Sequence, residues 1–205
     1  MTAAAGEPTS PEDVREWIRE HVRDRYGEVR TASERHRTEH GRGCTVYPTA
    51  SGPLLGVLAA ATRARRILEL GTGLGYSALW LADAGAHVET IEQDEAHAAL
   101  AEKNLERADA EIHVGTGAHV LPALEPGYDL VFNDGEPVEF EDDLDEFERL
   151  LSPGGILVSA NLFLGQYSVE VDGLEHASVY RERLLDEDKW ITAMLQDGLA
   201  LSILR

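Results

Sequence analysis

The chain has 205 residues, 43% of them apolar, with 38 acidic against 18 basic residues and a formal charge of −20. This length and apolar content predict one domain, spanning 1–205, with a substantial core. So acidic a surface repels nucleic acid and anionic membrane, so neither is expected as a partner.

No apolar run is long enough to span a bilayer, and Met1 to Gly6 lack a signal pattern. The one cysteine, Cys44, allows no internal disulfide, which fits a reducing compartment. A cytoplasmic protein is therefore expected. The acids are scattered rather than gathered in a tail, which suggests a surface kept hydrated in a salt-rich cytoplasm, as halophilic proteins require.

In chain order, Ser10-Pro11-Glu12-Asp13 predicts a helix start: a capping serine, a first-turn proline and acids at the positive helix end. Val14, Trp17, Ile18, Val22, Tyr26 and Val29 follow near helical spacing as one apolar stripe, suited to packing on the domain or to a lid or dimer contact. Residues 34–45, rich in His, Arg and Gly, read as loop. His36 and His40 stand four apart, a metal-compatible helical spacing, but no third ligand follows nearby and exposed histidines are the plainer reading. These segments form an N-terminal helical extension at about 10–45. A turn at 48–52 then leads to an apolar helix at 54–62.

Arg66-Ile67-Leu68-Glu69-Leu70-Gly71-Thr72-Gly73-Leu74-Gly75-Tyr76-Ser77 carries the most information. A short apolar run reads as a buried strand, and Gly71, Gly73 and Gly75 mark a turn where a ligand can lie against main chain as the next helix begins. A nucleotide-like cofactor suits that corner; an ordinary strand–turn–helix corner is the bland alternative. The dinucleotide fingerprint is G-x-G-x-x-G, but here the third glycine comes one residue early and Tyr76 takes its place. Glu69, close before the turn, disfavours a pyrophosphate. A ribose, a cationic sulfonium and an amino-acid end, the parts of S-adenosylmethionine, suit an acid-flanked loop better.

Beyond this corner strands and helices alternate, with strands at 67–70, 87–91, 112–114, 130–133 and 156–160 and helices at 77–84, 95–107, 118–124 and 140–151. This predicts a doubly wound α/β fold with a mostly parallel sheet. Apolar runs at 190–195 and 199–204 flank Gln196-Asp197-Gly198 and predict a closing antiparallel hairpin. Between Glu139 and Glu148 the acids interleave Phe140, Leu144, Phe147 and Leu151, so most of them form a solvated helix face.

In open α/β sheets ligands sit outside the carboxyl ends of the strands. Those ends carry Glu69, Glu92, Gly115 to Gly117, Asp134 and Asn161. Glu92, placed after the glycine loop where an acid accepts ribose hydroxyls, is the sugar-binding candidate. Asp134 and Asn161 offer carboxylate and amide oxygens that suit a hard divalent cation of the Mg²⁺ type.

These residues resemble the cation-dependent O-methyltransferases of the catechol and caffeoyl-CoA type. The resemblance runs from about Tyr47 to the C-terminus. It rests on Leu68 to Gly73 with Gly75-Tyr76-Ser77, Ile91-Glu92, Gly115 through Leu121-Pro122, Asp129 to Phe132, Leu151-Ser152-Pro153-Gly154-Gly155 and Asp197-Gly198-Leu199. It implies a Rossmann-like methyltransferase fold acting on a small-molecule methyl acceptor, often as a homodimer. S-adenosylmethionine would be held by Glu69, Gly71, Thr72, Gly73, Gly75, Ser77 and Glu92, with Thr116 and Gly117 near the adenine. Tyr47 would cover the methionine end, beside Asp134.

Two departures stand out. The family's Asp-Ala-Asp-Lys after the fourth strand is here Asp134-Gly135-Glu136-Pro137, and its Asp-Asn after the fifth is Ala160-Asn161. A metal-binding aspartate is thus alanine and a lysine that assists deprotonation is proline. Asp134 stands as metal ligand or general base, and Asn161 as ligand or acceptor-orienting group. Leu162 to Tyr180, with Phe163, Tyr167 and His176, is expected to line the acceptor side. Two alternatives stay open: a cofactor-binding protein of this fold with lost or altered, metal-independent activity, and, by fold analogy alone, a nicotinamide-dependent oxidoreductase.

Overall fold

The computed structural model describes residues 9–164, 173–195 and 198–205. The elements follow in chain order as α1 (Pro11–His21), α2 (Gly27–His40), α3 (Gly52–Thr62), β1 (Arg66–Leu70), α4 (Tyr76–Ala82), β2 (His87–Glu92), α5 (Glu95–Leu105), β3 (Ala110–Val114), α6 (Gly117–Val120), β4 (Tyr128–Asn133), α7 (Phe140–Leu150), β5 (Leu151–Ser159), α8 (Leu174–Leu184), β6 (Trp190–Met194) and β7 (Ala200–Leu204). The strands form one sheet in the order β3-β2-β1-β4-β5-β7-β6. Neighbours from β3 to β5 are parallel, and β7 runs antiparallel to both β5 and β6. This is the expected doubly wound sheet with its antiparallel close. Gln196 and Asp197 of the closing turn lie outside the described residues.

Alternation along the strands divides the core between the two faces of the sheet. Leu68 and Leu70 of β1 pack with Phe140, Leu144 and Phe147 of α7 and Tyr180 of α8. Ile67, just before Leu68, points the other way, to Leu55 of α3, Leu81 of α4 and Val88 of β2. Arg66, at the amino end of β1, donates through Nε to Glu89 at 2.9 Å and lies 4.1 Å over the Tyr128 ring, fastening the edge opposite the predicted site.

Local chemistry sets the helix starts. Ser10 and Asp13 cap α1 reciprocally, with Oγ accepting from Asp13 N–H at 3.1 Å and Oδ2 accepting from Ser10 N–H at 2.9 Å. Asp94 caps α5 by accepting from the Ala96 and His97 amides at 2.8 and 3.0 Å.

Three expectations are corrected. Residues 34–40 are helix, not loop, because α2 continues through helix-compatible Glu and Arg until Gly41, at φ +73°, ends it. The apolar stripe is not one helix: α1 stops at His21, Val22 turns to extended backbone, and Tyr26 precedes α2. Its first part is not packed on the domain, since Val14, Trp17, Ile18 and Val22 are 44–50% exposed. Finally, β5 begins at Leu151 rather than 156, with its register against β4 shifting between Tyr128 and Leu130. Pro153-Gly154-Gly155 concealed that start from a pattern reading.

Candidate active site

Register brings the site together. Leu70 pairs with Ile91 on one side and Asn133 on the other, so the next residues, Gly71, Glu92 and Asp134, come side by side at the carboxyl edge, Glu92 as the last residue of β2. Asn133 pairs in turn with Ser159, which puts Ala160 and Asn161 next along that edge.

The loop after β1 is shaped by Gly71. Its φ is +96°, its N–H donates to Ile91 O at 3.0 Å, and a Cβ there would lie 2.9 Å from the Asp134 carbonyl oxygen. Only glycine permits both that backbone and that approach. Gly73 N–H donates to Glu92 Oε2 at 2.8 Å, and Glu92 Oε1 accepts from Asp94 N–H at 2.9 Å. Glu92 is therefore fixed against the loop, while each oxygen keeps a second lone-pair direction for a ligand hydroxyl. Gly75, left-handed, starts α4, and Ser77 is buried in its first turn.

Glu69 is buried beneath this loop. Thr90 Oγ1 donates to its Oε2 at 2.6 Å, and Thr72 Oγ1 lies 2.6 Å from Thr90 Oγ1. Its other oxygen, Oε1, is buried without a well-formed hydrogen bond among the described residues. Burial pushes the Glu69 carboxyl up to about 8, against the downward pull of the Ser77 and Thr90 hydroxyls, and the nearby Asp134 and Glu92 charges add to the rise. A cation placed here would return it to carboxylate.

Asp134 is half-buried, its backbone N–H held by Leu70 O at 2.9 Å. Asn161 Nδ2 donates to Asp134 Oδ1 at 2.9 Å, to Asp134 O at 3.3 Å and to Gly135 O at 3.2 Å. Burial lifts the Asp134 carboxyl to about 7, and the Asn161 hydrogen bond opposes the rise. Both side chains line a cleft of about 240 Å³ with Tyr47, Ser51, Phe163 and Leu199. Arg37 of α2 lies 3.7 Å over the Tyr47 ring and holds it at the cleft mouth. Thr116 is exposed at the carboxyl end of β3, and Gly117 is buried beside Leu70 and Asp143.

A 32%-identical relative over 176 residues, a catechol O-methyltransferase from Niastella koreensis, matches 75% of this chain and 80% of its own length. The chain belongs to the S-adenosylmethionine-dependent O-methyltransferase family. A family model described as a methyltransferase domain matches residues 68–161, the stretch that carries the glycine loop, Glu92, Asp134 and Asn161. Among solved structures, TomG from Streptomyces achromogenes, crystallised with S-adenosylmethionine, is 26% identical with a TM-score of 0.75, over 93% of this chain and 95% of that one. The cofactor-bound Rv0187 protein from MTB is 28% identical with a TM-score of 0.78, over 97% and 99%. This membership removes the nicotinamide alternative.

The cradle fits the family's cofactor: a glycine loop too tight for side chains, a carboxylate with spare lone pairs beside it, and a buried acid, Glu69, beneath the loop. The donor set does not equally fit Mg²⁺. Ala160 offers no ligand atom, the Asn161 amide nitrogen is turned to Asp134, and Glu136 Oε1 accepts from Gln93 Nε2 at 3.3 Å. Pro137 is buried in a short 3₁₀ turn, with no proton to exchange.

Of the residues expected on the acceptor side, Phe163 lines the cleft, but His176 does not: its Nδ1 pairs with Glu141 of α7 at 2.8 Å. Tyr167 lies outside the described residues. Sequence reasoning missed the support under Asp134. Asn133 Oδ1 accepts from Gly135 N–H at 3.1 Å, while its Nδ2 donates to Tyr180 OH at 3.3 Å, itself 2.8 Å from Ser159 Oγ. Nothing in the local pattern marks a tyrosine of α8 as a partner of two strand ends.

Proposed function

We propose that the chain transfers a methyl group from S-adenosylmethionine to a hydroxyl oxygen of a small molecule, with Asp134 as general base and no divalent cation. The observation that carries this reading is the Asp134–Asn161 pair in the cleft, with Asp134 lifted by burial to about 7, where a carboxylate accepts a proton near neutral pH.

Glu92 would hold the ribose, the loop from Gly71 to Gly75 would take the cofactor against bare backbone, and Thr116 and Gly117 would flank its adenine. Glu69, with Ser77 and Thr72 around it, would offer negative charge beneath the cationic end, and Tyr47 would close over it. When bound, the cofactor supplies an electrophilic methyl on a sulfonium. Asp134 would take the acceptor hydroxyl's proton while Asn161 fixes the carboxylate's direction, and the cleft walls would exclude water. Holding the acceptor oxygen in line for attack supplies most of the acceleration. We place this chemistry in the cytoplasm, and a homodimer follows from the family resemblance.

The test is transfer of labelled methyl to a panel of phenolic and other hydroxylated acceptors, with excess chelator and with Mg²⁺ or Mn²⁺. Turnover that survives chelator supports the reading; turnover only with added cation overturns it. Pro137 and Ala160 favour a second reading, a cofactor binder without transferase activity. Cofactor binding with no transfer to any acceptor would establish that one.

A further inference from the structure

Away from the cleft, three metal-ligating side chains converge from distant parts of the chain. His36 comes from the middle of α2, Cys44 from just after the 3₁₀ turn Gly41–Gly43, and His97 from the first turn of α5. One donor atom of each lies within 4.8 Å of the others. Cys44 and His97 are buried at 6% and 9% exposure, and His36 is half-buried. The His36 and His97 rings meet edge to face, with centroids 5.2 Å apart. Cys44 packs with Val46 and Leu74 in a small cluster separate from the two main cores.

We propose that His36, Cys44 and His97 form a zinc site that staples α2 to the cofactor-binding half of the domain. Two imidazoles and a thiolate are a borderline-soft donor set that suits Zn²⁺ and disfavours Mg²⁺ or Ca²⁺. Zn–N bonds near 2.0–2.1 Å and Zn–S bonds near 2.3 Å put tetrahedral donors roughly 3.3–3.7 Å apart, so closure needs shifts of about 1 Å. Three protein donors leave the fourth position to water. Binding converts the Cys44 thiol to thiolate and releases its proton to solvent.

His97 gives independent support. Among the described residues its Nδ1 has no hydrogen-bond partner; it is buried 3.9 Å from Glu92 Oε1. Such an orphan is costly and uncommon in a native interior. Coordination through Nδ1 supplies the missing partner. Coordination through Nε2 fixes the proton on Nδ1, facing Glu92, in the carboxylate–imidazole–metal arrangement that orients metal-bound histidines. His40, the helical neighbour of His36, is engaged otherwise: its Nδ1 lies 2.8 Å from His36 O and its ring stacks on His36 with centroids 4.0 Å apart.

The site is tested without cofactor or acceptor, so its fate is separate from that of the transferase reading. The full chain is stripped with chelator and titrated with Co²⁺, then Zn²⁺, while near-ultraviolet absorbance and proton release are followed. One equivalent of Co²⁺ should give a thiolate-to-cobalt charge-transfer band that Zn²⁺ abolishes. Cys44→Ser should lose the band, and His36→Gln and His97→Gln should each weaken Zn²⁺ binding roughly tenfold or more. His40→Gln should leave binding unchanged. His36 is partly exposed, so H36Q reports on the site even if a buried variant folds poorly. Absence of the band, a band that survives in C44S, or H36Q binding Zn²⁺ as tightly as the native chain would each overturn the proposal.

Discussion

Asn161 reaches Asp134 from a left-handed backbone: its φ is +60°, and its amide donates to the carboxylate at 2.9 Å. Non-glycine residues occupy that region sparingly, and asparagine is among those that tolerate it best. The strained position is what turns the amide back over the end of β4. Asn161→Gly should keep the backbone and lose the hydrogen bond. Because that bond favours the ionised form, the midpoint of the rate–pH profile should move upward in the variant, with KM for cofactor little changed. An unmoved midpoint would remove Asn161 from control of the base.

Asp134→Asn leaves an isosteric side chain that cannot take a proton. Turnover should fall by about 10²–10⁴-fold, the range for losing a general base, while affinity for S-adenosylhomocysteine stays within a few-fold. In the native protein kcat/KM should climb as pH rises toward about 7 and level off above it, following ionisation of Asp134. Single-turnover methyl transfer across pH checks both statements.

Asp143 is 2% exposed on α7, and its Oδ2 has no hydrogen-bond partner among the described residues. Burial lifts it to about 7, and the charges of Glu139, Asp142 and Glu146 add to the rise. Below its ordinary range both folded and unfolded chains hold the proton. From there up to about 7 the folded chain keeps a proton that the unfolded chain has lost, so stability falls as pH rises through that window. Asp143→Asn should flatten this fall and raise stability above pH 7 by on the order of 1–3 kcal/mol. Urea melts of both proteins at pH 6 and pH 8 decide it; equal differences at the two values would contradict it.

Gly71→Ala should destabilise by about 1–3 kcal/mol, since alanine at φ +96° is strained and its Cβ would press on the Asp134 carbonyl. The same push displaces Asp134, the proposed base, so activity should drop further than cofactor affinity. Thermal melting with paired kinetics would show whether the two losses separate.

The excess of 38 acids over 18 bases should make the fold salt-dependent. Screening relieves self-repulsion among the carboxylates, so Tm should rise as KCl increases from millimolar to molar concentrations. A flat or falling Tm would refute the view of this surface as adapted to high salt.

Much of this was legible in the sequence because strand alternation and glycine placement are local signals. Gly71, Glu69 and Glu92 could be placed from spacing alone, since a strand of known length delivers its last residue to a known edge. The antiparallel close of the sheet followed from an Asp-Gly between apolar runs, although nothing local showed that β7 rather than β6 lies against β5. What could not be read depended on long-range packing. Nothing local shows that Tyr180 ties Asn133 to Ser159, or that His97 meets His36 and Cys44. The helix over residues 34–40 was hidden by histidines and arginines, which are no obstacle to a helix with one side in water.

The central claim is the cofactor cradle formed by the glycine loop and Glu92, and calorimetric titration of S-adenosylhomocysteine into the native chain and Glu92→Ala addresses it most directly. The native chain should bind one equivalent, and the variant, folded by circular dichroism, should bind at least tenfold more weakly, as expected for loss of charge-assisted hydrogen bonds to a sugar. No heat from a folded native sample, or equal affinity in the two proteins, would contradict the account.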